Sequence, residues 1–170
     1  MSNIKVFEND LPKDLDLSNE KFIGLDNEAL GLVLGRDPLT LVQLGLESKN
    51  FYLIKLNRET YHAPNLIKAL SNDSTQFIMH YARQDLLWLK YHLDVKPKNI
   101  FCTKVASKIA RTASSYHGYK DLVKELCGKD ISKKEQQSDW GDPNLSEKQI
   151  KYAASDTEHL FEIRNKLIKM

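Results

Sequence analysis

The stretch FIGLDNE at residues 22–28 is a short apolar run that ends in two carboxylates one residue apart. Its apolar residues favour a buried strand, which we predict to stop at the acids. Side chains two positions apart on a strand point to one face, so Asp26 and Glu28 should lie close together. Two neighbouring anions repel each other, and a bound cation relieves that repulsion. The pair therefore predicts a metal site or, as the alternative, a strand end in solvent.

The length and the charge of the chain set bounds on its organisation and its partner. With 170 residues the chain is long enough for one substantial core, so we expect a single domain over residues 1–170. A net charge of +2 permits a nucleic-acid partner without indicating one. Between residues 104 and 134, eight basic residues against three acidic ones give a net charge of +5. This basic window is either a phosphate-facing patch or a set of solvated helix faces.

The cysteines and the lack of long apolar segments favour a cytoplasmic protein. Cys102 and Cys127 are the only cysteines, and they form neither a CxxC pair nor a zinc motif. We expect two buried thiols in a reducing compartment. The N-terminus has no basic-then-apolar signal, and no apolar run approaches the roughly 20 residues of a membrane helix. These features predict a cytoplasmic protein that has no membrane partner.

The hydrophobic pattern predicts a mixed sheet flanked by helices. A short alternating segment at residues 4–7 is typical of an edge strand or an arm. Apolar segments at 22–28, 39–46 and 51–56 have short connections, which favours an antiparallel meander. Strands and helices then alternate, which argues for parallel pairing. These later strands are predicted at 76–80 and 99–103, and the helices at 64–70, 83–93 and 104–111.

The C-terminal part of the chain is predicted to be helical. A helix at 119–127 would end at Gly128, a favourable C-cap. Ser146 and Gln149 form a capping box for a helix from about residue 147 to residue 168. Apolar residues recur along that helix at spacings of three and four, as docking on a sheet requires.

Three further candidate residues lie on predicted helices. Tyr152 and Asp156 are four residues apart, so their side chains lie one turn apart on one face. Taken alone, this pair is more typical of a tyrosine at the edge of the core beside a solvated carboxylate. Asp85 lies in the first turn of the helix at 83–93, where a carboxylate often serves only the helix dipole, worth under about 1 kcal/mol. No one of these residues decides the function by itself.

Together, the order and spacing of these residues resemble a known family. Asp26-x-Glu28, Asp85 in an HxxxxDLxxL context and Tyr152-x-x-x-Asp156 are similar to the three motifs of the DEDD superfamily of 3′–5′ exonucleases. The tyrosine is the mark of the DEDDy branch, since a DEDDh enzyme would have histidine where position 151 is lysine. Within that branch the chain resembles the ribonuclease D group, most closely the nanoRNase C type. The resemblance also covers DLP at 10–12, RD at 36–37, APNL at 63–66, FCTK at 101–104, ASK at 106–108, HG at 117–118, SDW at 138–140 and YAASD at 152–156.

The resemblance implies a ribonuclease H-like fold, with a mixed five-stranded sheet and helices on both sides. It also implies a 3′–5′ exonuclease with two divalent ions, Mg²⁺ or Mn²⁺, because hard cations prefer carboxylate ligands. Such a pair stabilises the attacking and leaving oxygens of phosphodiester hydrolysis. By position, Asp26 would bridge the ions, Glu28 and Asp156 would hold the one that carries the nucleophilic water, Asp85 would support the other, and Tyr152 would orient the water.

Six other residues are candidates for holding the substrate. In relatives an apolar residue after the first motif wedges against the terminal bases, and the matching residue is Leu32, for which core packing is the alternative. A 3′ end must be held without reading its sequence, which favours contacts from basic residues to phosphates. The candidates are Lys104, Lys108 and Arg111 along the backbone, and His80 and Arg83 at the scissile phosphate. Trp140 is interpreted as a packing residue.

The resemblance leaves the substrate and the assembly open. It favours very short single-stranded RNA, down to dinucleotides, cleaved to 5′-mononucleotides by a homo-oligomer. The nanoRNase C relatives continue beyond the position of Met170, and that tail could supply part of an oligomer interface. Asn27 stands where relatives have threonine, and its side chain should point away from the acids. The alternatives are an exonuclease for longer RNA or DNA, and a non-catalytic nucleic-acid binding module.

Overall fold

The computed structural model describes residues 3–132 and 134–170, which form a six-stranded sheet with helices on both faces. The strand order is β1-β4-β3-β2-β5-β6. β2, β3 and β4 pair antiparallel, whereas β1 with β4, β2 with β5, and β5 with β6 are parallel. The predicted meander followed by parallel pairing is therefore confirmed. The strands are β1 (Asn3–Glu8), β2 (Phe22–Ala29), β3 (Leu39–Gly45), β4 (Asn50–Lys55), β5 (Gln76–Met79) and β6 (Ile100–Cys102).

The sheet has six strands where five were expected, because β1 belongs to it. β1 pairs with β4 over its whole length, from Asn3 opposite Asn50 to Glu8 opposite Lys55. Side chains support both ends of this pairing, since the Asn3 amide donates to Asn50 at 2.9 Å and Lys55 forms an ion pair with Glu8 at 2.9 Å. The N-terminal segment is thus an edge strand and not an arm.

The helices match the predicted ones closely, with one exception. The predicted capping box is confirmed, since Gln149 N–H donates to Ser146 Oγ at 3.2 Å and Ser146 N–H donates to Gln149 Oε1 at 3.0 Å. A π-helical turn (Val123–Cys127) continues α4 and ends at Gly128, which is left-handed with φ of 66°. The helices are α1 (Pro64–Leu70), α2 (Arg83–Leu93), α3 (Thr103–Ala110), α4 (Tyr119–Leu122), α5 (Glu147–Glu158) and α6 (Leu160–Ile168).

The exception is the predicted single helix at 147–168, which is interrupted at His159. In a continuous helix His159 N–H would donate to the carbonyl of Ser155. Instead the hydroxyl of Tyr119 donates to that carbonyl at 2.8 Å and accepts from His159 N–H at 3.3 Å. A side chain inserted between these two backbone groups ends one helix and begins the next. The single-helix prediction is wrong at this residue.

Apolar side chains are buried on both faces of the sheet. All seven residues of β3 are buried, as expected for a central strand. One face packs on α1 and α2, where Leu66 and Trp88 join the largest core cluster. On the other face Leu41 packs with Trp140 and with Ala153 of α5. The sheet is therefore the middle layer of three.

Two glycines bring α5 unusually close to the sheet. Gly24 on β2 and Gly45 on β3 are paired across the ladder, and both face Thr157 of α5. A Cβ on Gly45 would lie 2.5 Å from the Thr157 hydroxyl oxygen, and one on Gly24 would lie 3.2 Å from its Cβ. Larger residues would push the helix away. This close approach places Asp156, the neighbour of Thr157, beside β2.

The state of the two cysteines and the lack of a membrane-spanning helix can be compared with the predictions. Cys102 and Cys127 are free, as expected, but each is half-buried where full burial was predicted. Among the helices of the described residues, none combines the length and the apolar character needed to cross a membrane.

Candidate active site

Three predicted acidic residues converge beside the sheet. Asp26 and Glu28 lie on β2, two residues apart, and Asp156 lies in the last turns of α5. One carboxylate oxygen from each lies within 4.8 Å of the other two. Side chains alternate in direction along β2, and α5 packs closely on the sheet. Together these two features produce this carboxylate cluster, which comprises Asp26, Glu28 and Asp156.

Asp85 faces the carboxylate cluster from the first turn of α2. The residue is buried, with 7% of its surface exposed. Burial raises the pKa of its carboxyl well above the ordinary value, and the charges of Asp26 and Asp156 raise it further. Burial likewise raises the pKa of Glu28, followed by the charges of Asp26, Asp156 and Asp85. The four predicted metal ligands therefore belong to one electrostatic site.

Asp26 has the pKa most relevant to neutral solution. Burial raises the pKa of its carboxyl from 3.8 to about 7, although a hydrogen bond from the Asn27 backbone opposes this. Raised carboxyl pKa values mean that the negatively charged forms are poorly compensated in the protein without a cation.

Tyr152 lies one turn before Asp156 on α5 and faces the same site. Burial raises the pKa of its hydroxyl, and the charges of Asp156, Glu28 and Asp26 raise it further. The hydroxyl therefore stays protonated at neutral pH and can donate a hydrogen bond. Trp140 is buried with its ring centre 6.0 Å from that of Tyr152, so the tryptophan supports the tyrosine ring. This agrees with the interpretation of Trp140 as a packing residue.

Gln43 is a site residue that the sequence analysis missed. It is fully buried on β3, directly opposite Asp26 in the ladder. Its Nε2 lies 3.5 Å from Oε1 of Glu28, and this contact lowers the pKa of Glu28 against the effect of burial. Gln43 is an amide inside the apolar stretch LTLVQLG, on a strand predicted to lie next to the acidic strand. This position could have identified it as a site residue.

Asn27, the residue between the two acids of β2, connects two parts of the site. Its side-chain amide donates to the backbone carbonyl of Asp85 at 3.2 Å. The bond joins β2 to the start of α2, away from the carboxylate cluster. Asn27 therefore has a structural partner that is compatible with the acidic motif around it.

Among the predicted phosphate contacts, His80 follows β5, Arg83 begins α2, and Lys104 and Lys108 lie on α3. His80 Nδ1 lies 2.9 Å from the Thr103 hydroxyl oxygen, and Lys104 Nζ lies 4.1 Å from the ring centre of Tyr81. Arg83 and Lys108 are exposed. His80 and Arg83 precede Asp85 closely in the chain, and the role of all four residues toward RNA stays a prediction.

Arg111 has several partners inside the protein. It forms an ion pair with Glu125, and its Nη1 donates to the Ser107 hydroxyl and the Tyr116 carbonyl, each at 3.1 Å. Only 12% of its side chain is exposed. These contacts hold the segment that follows α3, so a phosphate contact would have to compete with them.

The other basic residues of the window 104–134 are distributed over several elements. Lys120 lies on α4, Lys124 on the π-helical turn, and Lys134 in a short 3₁₀ turn (Lys134–Gln137). Lys133 lies outside the described residues. The two interpretations of this window, phosphate-facing patch and solvated helix faces, both stay open.

Leu32 is strongly exposed, with 81% of its surface accessible. Core packing, the alternative role, is therefore wrong for this residue. Asp37 anchors the segment that carries Leu32. Its carboxylate accepts a hydrogen bond from Val33 N–H at 2.8 Å and forms an ion pair with Arg36 at 2.6 Å. The indole of Trp88 donates to the Asp37 carbonyl at 3.2 Å. Leu32 thus projects from an anchored turn next to the end of β2.

Comparison with known proteins agrees with this site. The family model described as 3′–5′ exonuclease matches residues 6–170. The chain belongs to the 3′–5′ exonuclease family. Ribonuclease D of Xanthomonas oryzae pv. oryzae is 32% identical over 151 residues, which cover 86% of this chain and 40% of the relative. Ribonuclease D of Gluconacetobacter diazotrophicus is 35% identical over 144 residues, which cover 85% of this chain and 36% of that relative. The chain thus spans two fifths or less of these relatives' length.

Solved structures place the chain more narrowly within this family. NrnC of Brucella melitensis is 38% identical with a TM-score of 0.93, covering 98% of this chain and 81% of that one. Structures of the same Brucella protein with bound Mg²⁺ and bound to pGG match with TM-scores of 0.91 and 0.93. The predicted resemblance to the ribonuclease D group and its NrnC type is confirmed, as is the ribonuclease H-like fold.

Proposed function

We propose that this protein is a 3′–5′ exoribonuclease that uses divalent metal ions to hydrolyse short single-stranded RNA, down to dinucleotides, to 5′-mononucleotides. The observation that carries the proposal is the convergence of Asp26, Glu28 and Asp156 within 4.8 Å. Membership of the exonuclease family supports the reaction. The Brucella NrnC structures with Mg²⁺ and with pGG support the cofactor and the short substrate.

The carboxylates fit a pair of divalent cations. They supply oxygen ligands, which suit Mg²⁺ and Mn²⁺. The raised pKa values of Asp26, Glu28 and Asp85 indicate anions that a cation would stabilise. When bound, the ions would stabilise the charge on the attacking and leaving oxygens. In this proposal Asp26 would serve both ions, Glu28 and Asp156 would hold one of them, and Asp85 would support the other.

Tyr152 acts in this proposal as an orienting donor. Its hydroxyl has a raised pKa, so it is a poor base at neutral pH. A protonated hydroxyl beside Asp156 can instead hold the attacking water in line with the scissile phosphate. Gln43 restrains Glu28 and Trp140 restrains Tyr152, so both act on the reaction through the residues that they position.

The substrate would be held by residues around the rim of the site. Leu32 is exposed and available to pack against a terminal base. His80 and Arg83 are proposed to face the scissile phosphate, with Lys104 and Lys108 contacting the next phosphates. Contacts of this kind are independent of sequence and need only a few nucleotides.

The substrate class can be tested with four labelled oligonucleotides. The assay follows product formation over time from a 5′-labelled RNA dinucleotide, an RNA heptamer and their DNA counterparts, with Mn²⁺ or with EDTA. Rapid cleavage of the RNA dinucleotide with slow shortening of the heptamer is expected. Comparable shortening of both RNAs would indicate a general 3′ exonuclease, and a preference for DNA would replace RNA as the substrate. Binding without cleavage of any of them would favour a binding module.

A further inference from the structure

A second group of metal-ligand side chains lies apart from the carboxylate cluster. Cys127 ends the π-helical turn, His159 lies at the junction of α5 and α6, and Glu162 lies in the first turn of α6. One ligand atom from each residue, the thiol sulfur, an imidazole nitrogen and a carboxylate oxygen, lies within 4.8 Å of the other two. From this geometry we infer a binding site for Zn²⁺ or a cation of similar softness, which we call the junction site.

Local structure explains why these three side chains meet. His159 and Glu162 are three residues apart, so they lie on the same face where α6 begins. The Tyr119 hydroxyl accepts from His159 N–H and fixes the junction. The π-helical turn carries Cys127 toward that junction, and Gly128 then turns the chain away. Extra turns of this type often mark functional sites.

The ligand set of the junction site differs from that of the carboxylate cluster. Sulfur and nitrogen donors favour Zn²⁺, whereas oxygen donors favour Mg²⁺ and Mn²⁺. Three protein ligands leave a fourth position of a tetrahedral ion for water. Two cation classes would thus be sorted between two neighbouring sites by donor type.

The protonation states of the ligands are compatible with zinc binding. His159 is 4% exposed, and burial lowers the pKa of its imidazole, so the ring is neutral and can donate a lone pair at neutral pH. Burial raises the pKa of the Cys127 thiol to about 11, and the charge of Glu162 and a hydrogen bond with that carboxylate contribute to the rise. Binding must therefore displace the thiol proton to solvent, one proton for each ion. The resulting thiolate and the Glu162 carboxylate would balance the two charges of the ion.

Two lysines act against the site and limit its affinity. Lys166 forms an ion pair with Glu162 at 2.8 Å, and Lys129 acts electrostatically on Cys127 and Glu162. Lys166 makes this ion pair with Oε1 of Glu162, so the lysine competes with a bound ion for the carboxylate. We therefore expect a site that binds zinc reversibly.

Cobalt provides a direct test on the full chain, because a cobalt–thiolate bond gives a charge-transfer band. Co²⁺ is titrated in excess Mg²⁺, which occupies the carboxylate cluster. The expected result is a band that saturates at one ion per chain and disappears when Zn²⁺ is added. Cys127→Ser should lose the band, whereas the matched control Cys102→Ser should keep it. No band in the wild type, or a band that survives Cys127→Ser, would overturn the site.

A second variant tests the site without altering a cysteine. Glu162 lies on the surface of α6, with 46% of its side chain exposed, so Glu162→Gln should fold normally. We expect it to weaken Zn²⁺ binding by about tenfold or more in competition titrations. Unchanged Zn²⁺ affinity would exclude Glu162 as a ligand. Neither readout depends on nuclease activity, so the junction site and the proposed function can fail separately.

Discussion

Three acids of the candidate active site, Asp26, Glu28 and Asp85, are harder to ionise in the folded protein than in solution. Burial raises the pKa of Asp26, and burial with the charges of neighbouring acids raises those of Glu28 and Asp85. Groups arranged in this way destabilise the metal-free protein at neutral pH. The residues proposed to perform the reaction therefore work against folding until a cation is bound.

The first prediction is that Asp26→Asn stabilises the metal-free protein at high pH. The pKa of Asp26 is 3.8 in its ordinary state and about 7 in the folded protein, so between these values the folded state holds a proton that the unfolded chain has released. The stability of the wild type should then fall as pH rises from about 4 to about 7 and stay low above this range. In EDTA at about pH 8, urea unfolding should show the variant more stable by on the order of 1 to 3 kcal/mol.

Magnesium provides the control for this prediction. Mg²⁺ should increase the free energy of unfolding of the wild type at the higher pH, because it binds the folded, ionised site. It should affect Asp26→Asn much less. Equal responses of the two proteins to Mg²⁺ would show that Asp26 is not a ligand.

The second prediction separates orientation of the water from metal binding. Tyr152→Phe removes a hydroxyl that stays protonated, so we expect turnover of short RNA to fall on the order of 100-fold. Metal affinity should be nearly unchanged, since the four carboxylates are intact. Steady-state kinetics and an Mg²⁺-dependent thermal shift measure the two effects. A variant with near-normal turnover and normal folding would remove Tyr152 from the reaction.

The C-terminal helices show how one distant side chain changes an element. The apolar periodicity correctly predicts helix from residue 147 to residue 168, and the capping box correctly predicts its start. The interruption could not be predicted, because it depends on the Tyr119 hydroxyl, 36 residues from the carbonyl that it binds. Tertiary contacts of this kind leave no trace in local spacing.

The third prediction concerns this inserted hydroxyl. Tyr119→Phe frees the Ser155 carbonyl and His159 N–H to pair with each other. We therefore expect the free energy of unfolding, measured in urea, to fall by about 1 kcal/mol. The last turn of α5 should shift with Asp156, lowering turnover more than it changes KM. Tyr116→Phe is the matched control, because Tyr116 is 65% exposed. Similar kinetics for both variants would mean that the insertion does not position Asp156.

The whole molecule assembles its site from distant parts of the chain by a simple rule. β2 lies between β3 and β5, so its acids face residues from α2 and α5. The order and spacing of the motifs, through their resemblance to a known family, led to the prediction of five residues, namely Asp26, Glu28, Asp85, Tyr152 and Asp156. The structure brings Asp26, Glu28 and Asp156 together, whereas the roles of all five in the reaction stay predictions. The pairing of β1 with β4, the support from Gln43 and the ion pair of Arg111 depend on long-range packing, which periodicity does not report.

The fourth prediction concerns assembly, which stays a prediction from the family resemblance. Leu30, Leu32, Val33 and Leu34 are 40% exposed or more, a continuous apolar segment that is unusual on a monomer surface. We expect sedimentation velocity at micromolar protein to give a mass of at least two chains, that is, twice 19.6 kDa or a higher multiple. A single 19.6 kDa species over the whole concentration range would contradict the expected homo-oligomer.

The most direct test of the central claim is hydrolysis of an RNA dinucleotide by the wild type and by Asp26→Asn, each with Mg²⁺ and with EDTA. We expect release of 5′-mononucleotides by the wild type with Mg²⁺ alone. Both EDTA and the substitution should lower the rate by more than about 1,000-fold, since the ions supply several kcal/mol of transition-state stabilisation. Hydrolysis that persists in EDTA, or a folded Asp26→Asn with the wild-type rate, would contradict a metal-dependent site at these carboxylates.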